Sequence, residues 1–244
     1  MLLLVMTSCS SEVRNEKKFL KGMQSTDAQE EQDAFEEFCS WIKTDKATMG
    51  YDFNLLREKL GMKIVNSPDG KLRLYSWVID HNDSIISYAN IVQLLVNDGK
   101  LVGYSGPLNT MLTGKNPDIK KRWTLAHSID TVFEVNVNNQ PVYLIVQSYL
   151  TEELMNTSYV SAAVTQGLRI ATLRFFFDGV ENAGYRKYID DGKVNKKDLI
   201  KWDDKTKTLY AYMTDDNNHV IPGKYEIYRL NGDSFTKVEP ATEQ

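Results

Sequence analysis

The chain has 244 residues, with hydrophobic residues at 42%, charged residues at 25% and a formal charge of −4. This length and balance are sufficient for a folded core and exclude a disordered, collagenous or polytopic membrane chain. With 29 Lys and Arg against 33 Asp and Glu there is no basic excess for nucleic acid, and 13 Tyr, 9 Phe and 4 Trp favour strands.

The chain opens on an apolar run, Met1 to Met6, far short of the ~20 residues of a bilayer-spanning helix. It runs through Met6-Thr7-Ser8 into Cys9. Small residues leading into a cysteine resemble the lipobox of bacterial lipoproteins, in which cleavage precedes the cysteine and lipids are attached to it. On that resemblance, residues 1–8 are the truncated end of a signal whose basic region lies upstream of Met1. Cys9 is then the lipidation site, and residues 9–26 are a polar tether. The one other cysteine, Cys39, leaves an acylated Cys9 without a disulfide partner.

Two helices follow. Thr26 is the expected cap of a helix over 27–43, in which Asp27, Glu30, Glu31 and Asp33 suit the N-terminal dipole. Ala34, Phe35, Phe38, Trp41 and Ile42 form its apolar stripe, and Cys39 behaves there as a small hydrophobe. Asp52 is the expected cap of a second helix over 52–60, with Phe53, Leu56 and Leu60 on one face and Gly61 as its stop.

Beyond Gly61 the hydrophobic period shortens toward 2. Turn pairs recur at Asp69-Gly70, Asp98-Gly99, Asn138-Asn139, Asp178-Gly179, Asp191-Gly192, Asp203-Asp204, Asn217-Asn218, Pro222-Gly223 and Asn231-Gly232. The segments between them predict about nine to eleven antiparallel strands in meander order. Residues 151–166 are ambiguous between a helical turn and a strand. DGKLRLYSW at 69–77 and DGKLVGYSG at 98–106 agree at six of nine positions, which recurrent Asp-Gly turns explain without a repeat. The predicted fold is α+β, with two N-terminal helices packed on a large antiparallel β-meander, as a sandwich, an open barrel or a propeller-like sheet. One domain is expected over 27–240, helical to 61 and β-rich from 62.

The order of LREKLGM, SPDGKLRLYSW and the closing YEIYRLNGDSFTKV resembles secreted lipoproteins of Bacteroidetes. The resemblance implies an envelope location and carries no activity. Its relatives have a glycine- and threonine-rich turn after the YSW strand, where this chain has Ile79-Asp80-His81-Asn82-Asp83.

Catalytic signatures such as GxSxG, HExxH, CxxC and the Walker loop are missing. His81, His127 and His219 are scattered among polar neighbours. The densest polar cluster after an aromatic strand makes Tyr75, Trp77, Asp80, His81 and Asp83 the candidate ligand-binding residues, since alternation puts both rings on one face and the turn brings the acids to its end. Both rings could instead point into a core. Asp215 to Glu226 imitates a calcium loop, but Val220 stands where Gly is needed and His219 takes an oxygen-ligand place. Tyr185-Arg186-Lys187-Tyr188 reads as a hairpin edge.

No catalytic residue, metal or cofactor is assigned. The favoured function is a non-catalytic envelope lipoprotein that binds a glycan, peptide or partner protein, held to the membrane by a lipid on Cys9 at the outer membrane or cell surface, with a periplasm-facing location as the alternative. The alternative activity is a glycan hydrolase using a carboxylate pair.

Overall fold

A computed structural model describes residues 3–82, 85–95, 101–105, 128–150, 155–166, 169–173, 176–177, 180–181, 186–189, 195–232 and 234–238. It has the α+β composition expected, and among the described residues no sheet closes into a barrel. The chain divides into two compact units where one domain was expected.

The first unit packs helices on one face of a four-stranded antiparallel sheet. Its elements are α1 (Leu3–Met23), α2 (Ala28–Thr44), a 3-10 turn (Lys46–Met49), α3 (Asn54–Leu60), β1 (Lys63–Asn66), β2 (Leu72–Asn82), β3 (Ile85–Leu95) and β4 (Leu101–Ser105), with strand order β1-β2-β3-β4. The distal ends of β2 and β3, with residues 67–69, group with the second unit.

α2 forms where the periodicity places it. Its cap is Asp27, one residue after the expected Thr26: the carboxylate accepts hydrogen bonds from the backbone N–H groups of Gln29 and Glu30 at 2.7 and 3.4 Å. Ala34, Phe38 and Ile42 are buried. The Phe38 ring is the hub of the core. It stacks on Phe19 at 4.3 Å and meets Phe53, Tyr75 and Trp77 edge-on at 5.7, 5.7 and 6.3 Å.

α1 occupies most of the segment expected as a tether. It docks by burying Glu12, Glu16 and Phe19. Gly22 lies so close to α2 that an added Cβ would stand 2.2 Å from the Ala34 Cβ, so only glycine permits this approach.

The buried Glu16 answers a deficit elsewhere. The N-cap of α3 is Phe53, not the expected Asp52; its backbone is left-handed at φ 51° and it makes no side-chain cap. Glu16 supplies the missing acceptor from another helix, taking the Leu56 N–H at 2.9 Å on one oxygen and the Tyr51 hydroxyl at 2.7 Å on the other. The negative carboxylate also complements the positive end of the helix dipole. Asp52 serves through its carbonyl, which accepts from Arg57 Nε at 2.8 Å.

The second unit is a β-sandwich. One sheet contains β5 (Ser128–Val137), β6 (Gln140–Leu150), β7 (Met155–Gln166) and β11 (Arg186–Ile189), in the order β11-β7-β6-β5, with β8 (Arg169–Leu173) also paired to β7. The other contains β9 (Phe176–Phe177), β10 (Val180–Glu181), β12 (Ile200–Asp203), β13 (Thr208–Thr214), β14 (Val220–Asn231) and β15 (Ser234–Val238), in the order β10-β9-β15-β14-β13-β12. A second 3-10 turn (Lys196–Asp198) precedes β12. Val135, Val142, Leu144 and Tyr188 from the first sheet meet Leu209, Tyr212, Tyr228 and Phe235 from the second in one core.

Turn chemistry is largely as read. Asn138 and Asn139 both take positive φ between β5 and β6, as a two-residue hairpin demands. Residues 155–166 of the ambiguous stretch are strand. Pro222-Gly223 departs from expectation: it lies within β14. The pairs at 98–99, 178–179 and 191–192 lie outside the described residues.

Phe38→Ala is expected to destabilise the protein by about 3–5 kcal/mol, because the cavity would open at the centre of five aromatic contacts. Glu16→Ala should cost about 1–3 kcal/mol by stripping two donors of their acceptor. Denaturant unfolding followed by tryptophan fluorescence measures both.

Candidate functional site

Tyr75 and Trp77 do share one face of β2, but it is the face under the helices. They are 0% and 1% exposed and lie in the aromatic core against Phe38. The expectation that they stack a ligand is corrected by this burial: a sugar has no access to either ring. Asp80 and His81 belong to β2, which continues as strand to Asn82, so the polar turn expected at 79–83 is extended backbone over most of its length. Asp83 lies outside the described residues. Cys9 lies within α1.

The notable chemistry beside Tyr75 is a buried polar network. The Arg73 guanidinium donates to the carbonyls of Thr48, at 2.8 Å, and of Met49 and Tyr51. It lies over the rings of Phe53 and Tyr75, 5.4 and 5.5 Å from their centroids. The Tyr75 hydroxyl donates to Gln93 Oε1 at 2.5 Å, and Gln93 Nε2 donates to the Ile42 carbonyl at 2.6 Å and Thr48 Oγ1 at 2.7 Å. Burial lowers the pKa of Arg73, though a guanidinium remains charged. The network fixes the segment between α2 and α3, and Arg73, Tyr75, Gln93 and Thr48 are all buried. Its sequence signal is one arginine in the apolar run LRLYSW, an odd charge on a strand otherwise suited to burial.

A cleft of about 400 Å³ lies in the second unit. One lip is a bulge in β14. Tyr212 pairs with Tyr225 and Thr214 with Val220, so Ile221, Pro222, Gly223 and Lys224 stand opposite Met213 alone. Pro222 cannot donate to a ladder, and Gly223 takes φ 74°, a conformation costly for other residues. The opposite lip is the 3-10 turn before β12, capped by Asn195, whose side chain accepts from the Lys197 N–H at 3.1 Å.

Between the lips, Lys201 Nζ bonds Asp198 Oδ1 at 3.1 Å and lies 5.1 Å from the Tyr225 ring centroid. Hydrogen bonds with Tyr225 and Asp198 raise the Lys201 pKa and keep the ammonium charged. The Tyr225 hydroxyl donates to the Asp198 carbonyl at 3.2 Å, and Tyr210 meets the ring edge-on at 6.1 Å. Tyr212, fully buried, and Leu199 form the floor. His219 is held at the rim by a local turn in which Asp215 Oδ1 accepts from the N–H groups of Asn217 and His219, each at 2.9 Å. Asp215 thus organises backbone rather than a cation. Among the described residues, no group of three or more His, Cys, Asp and Glu could hold a metal.

The described lining contains one carboxylate, Asp198, beside two ammonium groups, an imidazole and two tyrosines. Such a set can bind a polar ligand with an apolar part. Paired-carboxylate hydrolysis requires a second acid ~5–9 Å away. Sequence reading missed this cleft because its residues come from distant segments. Pro222-Gly223 was the available signal and was read as a hairpin turn.

Two buried tyrosines make stability fall in alkali. Burial raises the pKa of Tyr75 in the first unit, and burial together with the hydrogen bond to Asp69 Oδ2 at 2.9 Å raises that of Tyr143 in the second. The ordinary value is 10.0, so above it the unfolded chain loses protons that the folded protein keeps, and unfolding is favoured. Each phenol should contribute a decline of about 1.4 kcal/mol per pH unit above about pH 10. Urea midpoints measured from about pH 8 to about pH 11 check this, and Tyr75→Phe should flatten the decline in the first unit.

No family model, curated protein or solved structure matches the chain.

Proposed function

We infer that the protein is a cell-envelope lipoprotein with a non-catalytic binding role, exercised through the cleft of its β-sandwich unit. The observation that carries this reading is the cleft itself. A bulge and a 3-10 turn hold apart an otherwise regular sheet edge, and cations, a carboxylate and tyrosines converge over an apolar floor. Ligand sites commonly combine apolar walls with a few oriented polar groups.

The envelope part rests on Met6-Thr7-Ser8-Cys9 and on the resemblance to secreted Bacteroidetes lipoproteins. No helix among the described residues is long and apolar enough to cross a membrane. Diacyl attachment at Cys9 would give the two chains that stable anchoring requires. The location proposed is the outer membrane or cell surface, with ligands drawn from envelope glycans, peptides or proteins.

Expressed from its native gene in its own host, the protein should enter the detergent phase of a temperature-induced phase split, and Cys9→Ala should move it to the aqueous phase. Equal aqueous partition of both would overturn the anchor. For the cleft, Tyr225→Ala should reduce binding to an array of envelope glycans and peptides at least about tenfold while leaving the melting temperature within a few degrees, since its ring is half-buried. Undiminished binding by that variant would remove the cleft from the function.

A further inference from the structure

The charges lining the cleft are unequally committed. Lys201 is held by Asp198 and Tyr225. Lys224, on the opposing lip, is exposed and has no partner among the described residues, and the His219 imidazole, which lines the same cleft, likewise has none. Among the described lining residues Asp198 is matched by Lys201, so their uncommitted charge is positive.

The walls are equally selective. Leu199, Tyr212, Val220 and Ile221 supply the apolar part of the same lining. One face of Tyr225 is already covered by the Lys201 ammonium at 5.1 Å, and Tyr210 packs against the ring at 6.1 Å. A sugar stacking there would have to displace a bound cation, which disfavours a glycan. The four bulged residues leave the regular β13–β14 register, so an extended chain lying along Ile221–Lys224 meets backbone as well as side chains.

We propose that this cleft captures the free C-terminal carboxylate of a peptide ending in an apolar residue. Lys224, with His219 in the same lining, receives the carboxylate, and the last side chain enters the pocket over Tyr212. The volume of about 400 Å³ suits one large side chain and the end of its backbone. The proposal rests on the cleft being the binding site of the protein.

The probe is a fluorescein-labelled pentapeptide, Gly-Ser-Gly-Ala-Leu, with a free C-terminus, against the same peptide amidated and against one ending in Asp; a glucuronate-containing disaccharide is the glycan arm. The full chain should bind the free acid at least about tenfold more tightly than the amide or the Asp-ended peptide, the margin of one charge-assisted hydrogen bond. Lys224→Met, which keeps the side-chain stem on an exposed position, should erase the difference between acid and amide without shifting the melting temperature. Acid and amide binding equally, both weakened by Tyr225→Ala, would overturn carboxylate capture and leave the cleft as the binding site. Binding of the disaccharide alone, lost in Lys224→Met, would overturn the peptide and retain the cleft. Binding of no probe, or binding indifferent to both substitutions, would overturn both.

Discussion

A guanidinium buried in a protein interior must have its charge answered nearby, because the cost of dehydrating an unanswered ion exceeds what burial of its stem returns. Among the described residues Arg73 meets this requirement mainly with backbone carbonyls, the Asp52 charge adding a smaller favourable interaction. Its Nη donors take the carbonyls of Thr48, Met49 and Tyr51, and two aromatic faces flank it. Those carbonyls must therefore point inward, which fixes the path of the chain between α2 and α3. That path leaves Phe53 left-handed and α3 without a local cap. Glu16 then becomes the acceptor that α3 and Tyr51 lack, and α1 is drawn onto the fold. One arginine on a central strand thus underlies the arrangement of the whole helical layer.

What was legible in the sequence follows from how local each cause is. α2 was readable because its apolar stripe and its cap lie within one segment, and the β5–β6 turn because two adjacent asparagines tolerate positive φ. α1 was hidden because two of its buried residues are glutamates, which read as solvated; the burial of Glu16 is explained only by partners 35 and 40 residues away. The same distance effect misplaced the ligand-binding expectation at Tyr75 and Trp77. Strand alternation correctly puts them on one face, but only the tertiary arrangement decides whether that face meets water or helices.

The cleft illustrates the reverse case, in which a local irregularity creates an opening. A Pro-Gly pair between two strand segments normally signals a reversal of the chain. In β14 the chain instead continues in the same sheet and sheds the extra residues as a bulge. The proline denies the ladder a donor and the glycine accommodates the left-handed backbone. The floor remains part of the sandwich core, where Tyr212 packs on Tyr188 at 5.2 Å. The opening is therefore lined by a bulged strand and supported by a packed base, which suits recognition without large rearrangement.

The docking of α1 also bears on reach. A flexible leash of about 16 residues would let a membrane-attached body wander over roughly 20–24 Å. In this fold, Glu12 is already buried three positions after Cys9, a helical rise of about 4.5 Å. A lipid carried at Cys9 would hold the helical unit flush with the bilayer rather than suspended above it. If the proposed anchor is present, encounters would be set by lateral diffusion in the bilayer instead of by the swing of a tether.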